Sequence, residues 1–83
     1  MSEEEQRKVD EAMNRIQEKI ESMIRKGASP EFVRRLMGRV LETDYRYDMV
    51  HPSVKANAEI IIEWCIMRAL NALKRLIFPS EEV

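Results

Sequence analysis

The chain has 83 residues, 45% of them apolar, with only two glycines and three prolines. It is long enough for a single domain over 1–83, with apolar content to bury a core and too little Gly and Pro for a disordered segment. Lys and Arg number 14 and Asp and Glu 15, a net charge of −1, so the basic excess of a dedicated nucleic-acid binder is missing.

The first predicted helix covers 3–26. Ser2 followed by Glu5 has the form of a capping box, in which a hydroxyl accepts from an orphan amide and a carboxylate reaches back. Val9, Met13, Ile16, Ile20 and Met23 recur at steps of 4 and 3, with Ala12 and Ile24 alongside. That spacing makes a narrow seam suited to a helical bundle. Acidic residues open the helix, and Arg25 and Lys26 close it, matching the macrodipole. Gly27 suits the left-handed position that ends a helix.

Ser29-Pro30-Glu31 starts the second helix, predicted over 30–48, with a capping hydroxyl, proline in the first turn and an acid behind it. Val33, Leu36, Met37, Val40 and Tyr47 gather on one side, with Asp44 close to them. Beyond that stripe, Arg34, Gly38, Leu41, Tyr45 and Met49 form a second line and a candidate secondary binding surface. A helical glycine costs about 1 kcal/mol relative to alanine, so Gly38 points either to a close backbone approach or to an imperfect surface position.

The third helix is predicted over 52–78, opened by Pro52 and closed by Pro79. Val54, Ala58, Ile61, Ile62, Cys65, Ala69, Ala72, Leu73 and Leu76 fill a broad face. Ile66, Leu70 and Ile77 flank it on one side, and Ile60, Trp64, Met67 and Phe78 on the other. A helix apolar nearly all round belongs at the centre of a structure, yet two partner helices leave one side of it bare. Ile60, Trp64, Met67 and Phe78 are therefore the candidate interface. The expected fold is all-α: a compact three-helix bundle that pairs as a homodimer into a larger helical bundle, with the third helix near the two-fold axis.

No catalytic or cofactor pattern is present: two glycines leave no room for phosphate-cradling loops, and there is no HExxH, CxxC or GxSxG. His51 stands alone and reads as a loop or capping residue, without partners for a metal. Cys65 lies mid-helix on the apolar face and reads as a small core residue, not a nucleophile. Arg34, Arg35, Arg39 and Arg46 are balanced by Glu31, Glu42, Asp44 and Asp48, the pattern of a solvated face. No catalytic residue, cofactor or metal ligand is assigned. The only partners expected are a second copy or another protein helix, with no nucleic acid and no membrane. The run at 60–62 ends at Glu63, far short of a membrane span. The acidic start, Met1-Ser2-Glu3-Glu4-Glu5, lacks the apolar core of a secretory signal. A single cysteine fits a reducing, cytoplasmic setting or recombinant expression.

The stretch Gly27-Ala28-Ser29-Pro30-Glu31-Phe32-Val33-Arg34-Arg35-Leu36-Met37, continuing to Val40-Leu41-Glu42, resembles the last helix of the all-helical chorismate mutases. That resemblance implies an intertwined helical dimer that isomerises chorismate, with arginines and a lysine on the substrate carboxylates and a Glu or Gln at the ether oxygen. The glutamine of that pattern falls here on Asp48, and the Arg-Glu pair of the preceding helix on Glu11-Ala12, so the signature residues are not matched. Two functions follow as expectations. One is a non-enzymatic interaction or self-assembly module, whose tidy helix ends also fit an engineered scaffold or binder. The alternative is a small dimeric enzyme using Arg34, Arg39, Asp44 and Tyr47 on an anionic metabolite.

Overall fold

A computed structural model describes residues 2–43 and 52–77. Among them the chain forms four helices and no strand: α1 (Glu3–Arg25), α2 (Pro30–Thr43), α3 (Pro52–Ala56) and α4 (Ala58–Ile77). Helix α4 is the hub, packed against α1, α2 and α3, while α1 and α2 also meet each other.

The helix ends follow from their sequences. The Ser2 hydroxyl oxygen accepts the Glu5 amide at 3.2 Å, and its O–H donates to the Glu5 carboxylate. The far end of α1 closes with two backbone bonds, Gly27 N–H to the Ile24 carbonyl and Ala28 N–H to that of Met23, both 3.0 Å. This is a Schellman closure, and it needs a residue at positive φ; Gly27 supplies it at 96°. Ser29 then caps α2, its hydroxyl accepting the Phe32 amide at 3.1 Å and its carbonyl the Val33 amide at 3.0 Å.

The predicted third helix is broken at Asn57, a correction with a local cause. The Asn57 carbonyl accepts the Ile61 amide at 3.0 Å, as the residue before a new helix does. Its side-chain Nδ2 donates to the Ser53 carbonyl at 2.8 Å and so satisfies an orphan acceptor of α3. One asparagine closes α3 and opens α4. The expected continuation of the second helix beyond Thr43, to 48, lies outside the described residues.

The core differs from the predicted stripes in a consistent way. On α1 the buried residues are Ala12, Ile16, Ile20 and Ile24, with Val9 and Met23 only partly covered. On α2 they are Val33, Met37 and Leu41. Both helices thus offer a ridge of every fourth residue, the row that interdigitates in the commonest helix packing. Such a ridge drifts about 40° round the helix at each step, and so it carries Leu41 into the core, away from the exposed line where the sequence reading placed it. Opposite these ridges α4 buries Ile62, Cys65, Ile66 and Ala69. Ile66 therefore belongs to the core and not to a flank, while Leu76, assigned to the core face, is 67% exposed.

Gln17 bridges α1 to the middle of α4, its Nε2 donating to the Cys65 carbonyl and to Glu21 Oε1, each at 3.2 Å. Its Oε1 is buried and has no hydrogen-bond partner among the described residues. No helix among the described residues is long and apolar enough to cross a membrane.

The Ser29 cap can be tested by one substitution. Ser29→Ala removes the acceptor for the Phe32 amide and should lower stability by about 1 kcal/mol. Thermal unfolding should then fall by roughly 4–8 °C for a domain of this size, while Ser29→Asp, which keeps an acceptor, should stay near the parent value.

Candidate interaction surface

Two surfaces meet along α4. The first is the side of that helix turned away from the core. Ile60 is 70% exposed, Trp64 54% and Met67 62%, three large apolar groups one turn apart on a single face. Because α1 and α2 both dock on the opposite side, nothing among the described residues covers them. The Arg68 guanidinium lies over the Trp64 ring, 5.3 Å from its centroid, a cation–π contact on one face of an indole that stays half exposed. Further along, Leu70 and Ile77 are also exposed, and with Met67, Asn71 and Lys74 they line a shallow hollow of about 440 Å³.

The second surface is a cleft of about 700 Å³ where α2 stands against the junction of α3 and α4. Arg34, Gly38 and Leu41 form its α2 wall, and Lys55, Ala56 and Glu59 face them. Three of the five residues predicted as a secondary surface thus lie on one wall, although Leu41 contributes from a buried position. The other two, Tyr45 and Met49, lie outside the described residues. So do Phe78 of the candidate interface, and Asp44, Tyr47 and His51. At Gly38 an added Cβ would meet nothing within 4 Å, so among the described residues no backbone approaches there.

Arg34 also reaches across to α4. Its Nε and Nη2 donate to the two carboxylate oxygens of Glu63, the latter bond at 2.9 Å, tying α2 to α4. This two-pronged pair holds the Glu63 carboxyl below its ordinary range, through the hydrogen bond from Arg34, and pushes the guanidinium's own pKa upward. Both side chains are 45% exposed, so solvent screens much of their attraction. The pairing works chiefly as a registration device between two helices.

Cys65 is 2% exposed, and desolvation raises its thiol above the usual value. A thiol held protonated in a core is a packing residue. No cluster of three or more His, Cys, Asp or Glu that could hold a metal ion occurs among the described residues. Within the cleft the cations Arg34 and Lys55 stand among the anions Glu42 and Glu59, so the wall presents mixed charge.

No protein-family model, curated protein or solved structure matches this chain.

Two outcomes follow from this geometry. Gly38→Ala adds a methyl group to open space on a helix with no positive φ at that position, and should raise stability by about 1 kcal/mol. A fall in melting temperature would place a backbone neighbour against Gly38. Glu63→Gln removes the carboxylate that Arg34 holds. Because the folded-state pKa of Glu63 is depressed, its contribution is present above the ordinary carboxylate range and is lost as pH falls through the folded value. The melting advantage of the parent over Glu63→Gln, small at pH 7 for so exposed a pair, should therefore close as the pH drops below about 4.

Proposed function

We propose that this chain is a non-enzymatic helical interaction module, a scaffold that assembles with a second copy of itself through the outward face of α4. The observation that carries this reading is the exposure of Ile60, Trp64 and Met67 together on the helix that forms the centre of the fold. Scattered exposed apolar residues need no explanation, whereas a contiguous patch of this kind marks an interaction site. Tryptophan and methionine are also the residue types enriched at interface centres.

Covering each large apolar side chain contributes roughly 1.5–3 kcal/mol. That is a large share of what a single core this small supplies without disulfides or metals.

Molar mass by light scattering across a hundredfold range of concentration tests the proposal. The parent should approach twice 9.8 kDa as concentration rises. Met67→Glu places a charge at the centre of the exposed face without touching the core, and should reduce the mass to that of one folded chain. If Met67→Glu retained the parent's dimer, the interface would lie elsewhere; a parent monomeric at every concentration would remove self-assembly as the function.

A further inference from the structure

One line of residues on α4 reads the same in both directions. Ile60, Glu63, Met67, Leu70, Lys74 and Ile77 follow one another at steps of 3, 4, 3, 4 and 3, the alternation of a coiled-coil seam. Its chemical order is apolar, acidic, apolar, apolar, basic, apolar. Reversing the helix about the midpoint between Met67 and Leu70 superposes apolar on apolar and acid on base. Ile60, Met67, Leu70 and Ile77 are all exposed, at 70%, 62%, 38% and 58%, Lys74 is exposed as well and Glu63 is half-buried. The seam is therefore outside the core along its whole length.

We infer that two copies of the chain pair through α4 in antiparallel register, about a two-fold axis passing between Met67 and Leu70. This rests on the self-assembly reading above and fixes its geometry. Ile60 faces the partner's Ile77, Met67 faces the partner's Leu70, and Glu63 faces the partner's Lys74, each contact occurring twice because a two-fold interface is isologous. A parallel arrangement in the same register sets Glu63 against the partner's Glu63 and Lys74 against the partner's Lys74, which like-charge repulsion disfavours.

Shape agrees with charge. The hollow formed by Met67, Leu70, Asn71, Lys74 and Ile77 occupies the C-terminal half of the seam, and the protruding Ile60 occupies the N-terminal half. Antiparallel pairing lays the ridge of each copy into the hollow of the other. Arg34 already holds Glu63 in place from the neighbouring helix, and a carboxylate has acceptor positions left for a second donor after a two-pronged bond. The acid of the seam is thus oriented before the partner arrives.

The test uses two charge-reversal variants of the full chain and their mixture. Lys74→Glu sets two acids against two acids at the interface and leaves the Arg34–Glu63 pair in place. Arg34→Glu with Glu63→Lys sets bases against bases and keeps an ion pair, of reversed polarity, between α2 and α4. Each alone should raise the dimer dissociation constant by roughly tenfold or more, read by sedimentation equilibrium, with helical content unchanged by circular dichroism. An equimolar mixture should regain near-parental affinity as a heterodimer, seen by native mass spectrometry, because both cross-pairs are then of opposite sign. Should either variant dimerise as tightly as the parent, or the mixture regain nothing, the register is wrong even if the chain self-assembles. A parent that stays monomeric overturns the register together with the reading on which it rests.

Discussion

The burial demand of α4 governs the rest of the molecule. Its inner side, Ile62, Cys65, Ile66 and Ala69, receives ridges from both long helices, and every other element packs on it. Because α1 and α2 approach from the same hemisphere of the helix, they bring the core to near-complete exclusion of water and, among the described residues, leave the far side of α4 bare. The apolar content of that far side is therefore not surplus left by a careless sequence. It is what remains when one helix carries apolar residues on more sides than the other described helices cover.

Polar contacts among the described residues register this arrangement more than they stabilise it. Arg34 to Glu63 joins α2 to α4 at a half-exposed site, where the net gain from an ion pair is small. Gln17 joins α1 to the middle of α4 through a side-chain bond to the Cys65 carbonyl, whose net contribution is again modest. The two contacts fix α1 and α2 along and around α4.

The helices and their ends were legible in the sequence because they depend on neighbours a few residues apart. Ser2, Gly27, Ser29 and Pro30 act where their chemistry placed them. The break at Asn57 was written in an equally local signal, a good capping residue between two helical stretches, and was obscured by the apolar periodicity running through it. Core membership was less legible. Seams read at an average spacing of 3.5 run straight along a helix, whereas crossing helices bury rows of every fourth residue, which spiral. That difference moved Leu41 and Ile66 inward and left Leu76 and part of Met23 outside. The exposure expected of Ile60, Trp64 and Met67 was legible for a global reason: counting the faces that two partner helices can cover requires no coordinates. The cleft beside Gly38 was only half legible, because its second wall depends on how α3 and α4 are offset, which periodicity does not encode.

Apolar area alone gives adhesion without direction, since leucine, isoleucine and methionine accept almost any partner in almost any register. Specificity on such a face has to come from the few charged groups within it. Along α4 the acid and the base of the seam stand equidistant from its midpoint, one in each half. With one sign at each end, only the antiparallel copy satisfies both. With the same sign at both ends, no self-pairing would. The orientation proposed for the pair therefore depends less on Trp64, the largest exposed group, than on the placement of Glu63 and Lys74 along the seam. In the proposed pair, burial would supply the tendency to associate, and these two charges would select its orientation.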